Sequence, residues 1–145
     1  MPIFELVEIE GLPPEPEVPF FKLKKRDKCI FDEFWEKIEE NGNHSKDLDK
    51  IQSLLALLST GAKVPGNKCC ALKHRPKGDP YPDFELRVNR LRVYFFEDVE
   101  EGKVIVLGEL KKGKKTQTKA IKKMRKWKMD YFHDKSSTDD NNQDQ

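Results

Sequence analysis

Three apolar runs constrain this chain more than anything else in it. They are Phe84-Glu85-Leu86-Arg87-Val88, Leu91-Arg92-Val93-Tyr94-Phe95-Phe96 and Lys103-Val104-Ile105-Val106-Leu107-Gly108-Glu109-Leu110. Each is too short for an ordinary helix and rich in β-branched or aromatic residues, so each reads as a strand. Asn89-Arg90 has the length of a tight hairpin turn, and the acidic stretch from Glu97 to Gly102 forms a second turn. The sequence therefore predicts an antiparallel meander with its third, most apolar strand central. A two-residue turn would set Val88 opposite Leu91, Arg87 opposite Arg92 and Leu86 opposite Val93. Alternate side chains leave a strand on opposite faces. The apolar pairs then share the buried face, and Arg87 and Arg92 lie side by side on the other. Opposed like charges repel, and a shared anion would relieve them. The guanidinium fork matches a phosphate in two places and stays charged. The plainer alternative is a pair of solvent-side cations on a half-exposed sheet.

Upstream, the period is helical. Phe31, Phe34, Trp35 and Ile38 recur at three- and four-residue spacing until Asn41-Gly42-Asn43. Leu48, Ile51, Leu54, Leu55 and Leu58 form a second stripe, with Ser45 as candidate N-cap and Gly61 beyond the end. Two such helices joined by a short turn make a hairpin that would lie on the sheet. Before them, Ile3–Ile9 and Val18–Leu23 suggest strands, separated by the break Gly11-Leu12-Pro13-Pro14. After the meander, Ile121, Met124, Trp127 and Tyr131 mark a helix from Thr116 to about Phe132. Its other face carries Lys119, Lys122, Lys123, Arg125, Lys126 and Lys128. The expected fold is α+β: an N-terminal helical hairpin packed on a twisted antiparallel sheet, with a C-terminal basic helix. The expected organisation is an extended or strand-forming arm over 1–27, a domain over 28–132 and a disordered acidic tail over 133–145.

Charge is strongly segregated. Residues 1–62 hold 8 Lys/Arg against 13 Asp/Glu, a net −5; residues 63–128 hold 19 against 8, a net +11; residues 129–145 hold 1 against 5, a net −4. Ten Lys/Arg and no acid occur between Lys111 and Lys128. Solubility is served by mixed charge, whereas a block of one sign repels itself until a polyanion neutralises it. This points to a nucleic acid, met by Arg90, Lys111, Lys112, Lys119, Lys122, Lys123 and Lys126.

Many chemistries are not encoded. No GxSxG, Walker loop, HExxH or dinucleotide fingerprint occurs. Cys29, Cys69 and Cys70 make neither an even disulfide framework nor a zinc spacing, and they read as reduced thiols near a strand. His44, His74 and His133 are far apart, so a histidine-pair ribonuclease is not indicated, although folding could join His74 to His133. No apolar run is long enough for a membrane span, and the start Met1–Glu10 lacks the pattern of a secretory signal. A cytoplasmic protein without cofactor or metal is expected.

The ordered set of two helices, ELR, LRVYFF, VIVLGEL and KKGKKTQT before a last helix resembles the HigB-like branch of the RelE/ParE toxin superfamily. That branch shows a pattern near L-E-L-R, R-V-x-Y-F, then I-x-L-L-x-x-F-x-K-K-T-x-K-T. The likeness covers roughly Lys46–Phe132 and is sharpest at Phe84–Arg87, Arg92–Phe96 and Val104–Thr118. Here Lys111-Lys112-Gly113 lengthens the last turn, Thr118-Lys119 replaces the usual Thr-Pro, and the N-terminal segment is longer.

The resemblance implies the toxin of a type II toxin–antitoxin pair, a metal-independent endoribonuclease that cuts mRNA on the ribosome. In that chemistry the ribose 2′-hydroxyl attacks the neighbouring phosphodiester, and cations stabilise the transition state. Carried over, Arg87 and Arg92 would hold the phosphate, with Lys114 or Lys115 assisting proton movement. Lys73 and Arg75 would grip ribosomal RNA, and Tyr94 or Tyr131 would stack a base, Tyr131 being better suited to the core. The implied partners are the ribosome, its mRNA and a cognate antitoxin, a helix-turn-helix protein. Competing readings are a non-catalytic nucleic-acid or ribosome-binding module, a ParE-like toxin acting on a protein, an unrelated DNA-binding or architectural protein, and a phage-encoded structural relative. Against a DNA-binding reading, the sequence shows no helix-turn-helix, and its basic helix is terminal.

Overall fold

The computed structural model describes residues 3–143, with side chains through residue 137. In chain order the elements are β1 (Phe4–Glu8), β2 (Phe20–Lys25), α1 (Ile30–Asn41), α2 (Ser45–Ser59), β3 (Cys69–Ala71), β4 (Asp83–Val88), β5 (Leu91–Asp98), β6 (Gly102–Leu110) and α3 (Lys114–Gln143). The six strands form one sheet in the order β1-β2-β6-β5-β4-β3. All neighbours are antiparallel except β2 and β6, which run parallel. The apolar strand β6 is indeed central.

The β4–β5 hairpin has the expected register, with Val88 opposite Leu91, Arg87 opposite Arg92 and Leu86 opposite Val93. Asn89 takes a left-handed φ of 52° in the turn, a conformation that asparagine tolerates better than most residues. In the β5–β6 pair, Tyr94 faces Leu107 while Phe95 faces Ile105, so Val106 is an extra residue in a bulge.

Each face of the sheet is covered. Helices α1 and α2 lay Phe31, Phe34, Ile38, Leu48, Ile51 and Leu55 on Leu86, Val88, Leu91, Val93, Phe95 and Ile105. Helix α3 lays Met124, Trp127 and Tyr131 on Leu23, Tyr94, Phe96, Val104 and Val106. Burial of one such side chain stabilises by about 1.5–3 kcal/mol, so both helical layers are held mainly by apolar packing. The approach of α1 to β6 requires Gly108, where an added Cβ would meet the Phe34 ring at 2.5 Å.

Several boundaries differ from the sequence expectation. Residues 4–8 and 20–25 are strands of the main sheet, because β2 alternates Phe20 and Leu23 into the two cores. A further short strand, Cys69–Ala71, pairs antiparallel with β4 at the edge of the sheet. Ser45 is the first helical residue and His44 the cap, with no side-chain capping bond. Helix α3 continues beyond Phe132 into the segment expected to be disordered. Ile3 N–H donates to Asp134 at 3.1 Å, and Lys135 reaches Asp98 at 3.0 Å, so polar contacts extend the helix past its apolar stripe. The side chains of 138–145 and the backbone of 144–145 lie outside the described residues.

Candidate nucleic-acid interface

The second face of β4 and β5 carries Asp83, Glu85 and Arg87 on one strand and Arg92, Tyr94 and Phe96 on the other. This face lies under α3, which changes the chemistry of the two arginines. Glu85 is 1% exposed and sits between them. Its Oε2 accepts from Arg87 Nη2 at 3.3 Å, and Arg92 Nε lies 3.0 Å from its Oε1. That second contact is Coulombic, since the Arg92 Nε–H makes no aligned hydrogen bond. Gln117, one helical turn into α3, donates to Glu85 Oε1 at 3.0 Å. The anion between the paired arginines is thus an internal carboxylate. The hydrogen bond that Arg87 donates to Glu85, then the Glu85 charge, raise the Arg87 pKa.

Two further cations of the basic block are drawn inward. Lys128 is 0% exposed, and its Nζ lies 2.7 Å from Asp79 and 2.8 Å from Asp83. It also donates to the Tyr81 carbonyl at 2.8 Å. Arg125 binds both oxygens of Asp83 and donates to the carbonyls of Lys73 and His74. These bonds strap the proline-rich loop from Lys73 to Pro82 onto α3. Arg125 and Lys128 therefore leave the solvent-facing set, because buried carboxylates on β4 and its loop require charged partners. His74 and His133 are both exposed, and no hydrogen bond or ion pair links them among the described residues.

Tyr94 is another correction. It is fully buried, and its hydroxyl donates to Glu109 at 2.7 Å. Burial, then that hydrogen bond, push its pKa well above the ordinary value, and its ring cannot stack an RNA base. Tyr131 is a core residue, donating to Asp98 at 2.7 Å.

What stays exposed forms a coherent surface. Asn89, Arg90, Arg92, Lys111, Lys112 and Gly113 line a shallow cavity of about 410 Å³ between the hairpin turn and the β6–α3 loop. It has four cations and no carboxylate in its lining. The turn is pinned from two sides: Lys111 N–H donates to Arg90 O at 2.7 Å, and Asn89 Nδ2 to Asp47 of α2 at 2.6 Å. Arg92 Nη1 donates to the carbonyls of Asn89 and Leu91 at 2.6 and 3.0 Å. The side chains of Arg90, Lys111 and Lys112 make no hydrogen bond or ion pair among the described residues, and the positive end of α3 opens beside them. Lys114 and Lys115 are exposed on the first turn of α3, outside the cavity lining and without a polar contact to Arg87 or Arg92. Lys119, Lys122, Lys123 and Lys126 continue the exposed surface along α3, Lys126 paired with Asp130 at 2.9 Å. Lys73 and Arg75 are exposed on the strapped loop.

Sequence reasoning missed Glu85, Gln117, Asp79 and Asp83. Asp83 and Glu85 alternate with Arg87 on one strand face, which signals a charged face. Nothing in that alternation says that a distant helix covers it. No known protein family, curated protein or solved structure matches this chain. Among the described residues, no group of three or more His, Cys, Asp or Glu is placed to hold a metal ion, and no helix is long and apolar enough to cross a membrane.

Proposed function

We propose that this protein binds RNA on the ribosome and stops translation by cutting mRNA, as a toxin of the RelE/HigB kind. The observation that carries the reading is the carboxylate-free cavity lined by Arg90, Arg92, Lys111 and Lys112, continuous with the lysines of α3. A phosphodiester placed there meets guanidinium and ammonium donors with no internal anion in the lining. Charge developing on the phosphate during attack of the 2′-hydroxyl would be stabilised where the donors already stand. The ordered sequence resemblance and the arrangement of helical hairpin, meander and basic helix agree with this reading. In it Arg92 holds the phosphate, the α3 lysines and the loop cations Lys73 and Arg75 grip ribosomal RNA, and Lys114 or Lys115 assists the proton transfers. The protein acts in the cytoplasm without a metal or organic cofactor, and a helix-turn-helix antitoxin restrains it.

A second reading has its own support. The cavity lining contains no His, Asp, Glu or Tyr to move a proton at neutral pH, and Arg87 is neutralised by Glu85. That favours a ribosome-binding module that blocks translation without cleavage. Purified protein added to translating ribosomes separates the two. Toxin action leaves mRNA cut at defined codons and is lost in Arg92→Ala, whereas blockade leaves it intact. Undiminished protein synthesis with the protein in excess overturns both.

A further inference from the structure

We propose that Glu85 is a positioning residue, which fixes Arg92 so that its free edge faces the cavity where a phosphate binds. This rests on the reading of that cavity as a phosphate site. Glu85 belongs to β4, its cross-strand neighbour is Tyr94 of β5, and it is 1% exposed. A carboxylate removed from water to that degree holds its charged neighbours in place, since an uncompensated buried charge is far less stable. Three elements converge on it: Arg87 from its own strand, Arg92 from β5 and Gln117 from α3.

Arg92 is thereby held at two points. Its Nε lies 3.0 Å from Glu85, and its Nη1 donates to the carbonyls of Asn89 and Leu91. Nη2 makes no hydrogen bond among the described residues, and Arg92 is part of the cavity lining. Its side chain is only 13% exposed, against 41% for Arg87. The same carboxylate thus treats the two arginines differently. Arg92 is clamped at Nε and Nη1 within the cavity lining, while Arg87, outside that lining, completes the neutralisation of Glu85. A donor held in its binding orientation loses less conformational freedom when the anion arrives. The hydrogen bond from Gln117 ties the first turns of α3 to the same carboxylate, so the cavity's hairpin wall and its helical wall share one anchor.

The sign of one effect makes this testable. If Glu85 acted only through its negative charge, removing that charge would tighten phosphate binding. If it positions Arg92, removal weakens binding although the protein becomes more positive. The probe is inorganic phosphate, titrated into the full-length chain while the Arg92 side-chain Nε–H and the Gly113 amide are followed by NMR. In the unaltered protein both signals should move together and saturate. In Glu85→Gln the midpoint should rise by up to roughly tenfold, the scale of ordering one long side chain at a binding site, with amides of Leu23 and Ile51 in the two cores unmoved. Glu85→Asp keeps the charge but withdraws it by one methylene and should give a smaller rise, and it carries the test if Glu85→Gln does not fold. An unchanged or lowered midpoint in the folded variants overturns the positioning role alone. No phosphate response in the unaltered protein overturns the cavity's reading as a phosphate site, and the positioning role with it.

Discussion

Arg125 on α3 and Asp83 on β4 form a two-point ion pair, with Nε 2.9 Å from Oδ2 and Nη2 3.2 Å from Oδ1. Lys128 adds a third bond to the same carboxylate at 2.8 Å. A block of like charge in the sequence is therefore divided in the fold. Some cations tie α3 to the sheet, and the remainder face solvent.

That division predicts where stability resides. Asp83→Ala leaves Lys128 buried with Asp79 as its remaining carboxylate and frees Arg125 from β4. Loss of one partner of a buried pair typically costs about 3–5 kcal/mol. Urea denaturation followed by circular dichroism should show a loss on that scale. A change below about 1 kcal/mol would mean that solvent supports the cluster.

Binding should follow the exposed lysines. Lys119→Gln with Lys122→Gln should weaken ribosome binding and flatten its dependence on salt. The logarithmic slope should fall by roughly 0.7–0.9 for each phosphate that the protein no longer neutralises. Arg125→Gln should lower stability, and in the protein that remains folded the salt slope should stay the same. Filter binding across a salt series measures both.

The two paired arginines should differ in function. Arg92→Ala removes a cavity donor and should slow single-turnover cleavage by about 10²–10³. Arg87→Ala should leave the rate of the folded protein within about threefold, since its guanidinium is outside the cavity lining. Equal losses in both variants would return the phosphate to the sheet face.

Acid should loosen the C-terminal part of α3. Burial alone would raise the Asp98 pKa, but hydrogen bonds from Tyr131, Lys135 and the Glu100 amide outweigh it and hold it below the ordinary 3.8. The stabilisation is complete above that ordinary value and is lost as pH falls through the lowered one. Thermal melts between pH 5 and pH 2 should decline less steeply in Asp98→Asn than in the unaltered protein.

Gly108→Ala tests the packing of α1 on β6. The added methyl would enter the Phe34 ring space, and overpacking of this kind typically costs about 1–3 kcal/mol. A second change, Phe34→Leu, should recover part of the loss, which denaturant melts of the single and double variants will show.

The sequence by itself determined the hairpin register, the central place of β6 and the apolar faces of three helices. Those features depend on local periodicity: a strand alternates with period two, a helix with period near 3.6, and Asn89-Arg90 allows one pairing that buries both apolar sets. It also determined that the middle of the chain is basic. Only the tertiary structure decided which cations remain available. Glu85 and Arg92 are close because β4 and β5 pair, but Gln117, Arg125 and Lys128 reach Glu85 and Asp83 from more than 30 positions away. Such bonds depend on the seating of α3, and that seating is chosen by Met124, Trp127 and Tyr131 packing on the sheet. Apolar burial places the helix, and the carboxylates beneath it then select their partners. Net charge along the chain therefore indicated a polyanion, while the surface that could meet one emerged only after the internal ion pairs had formed.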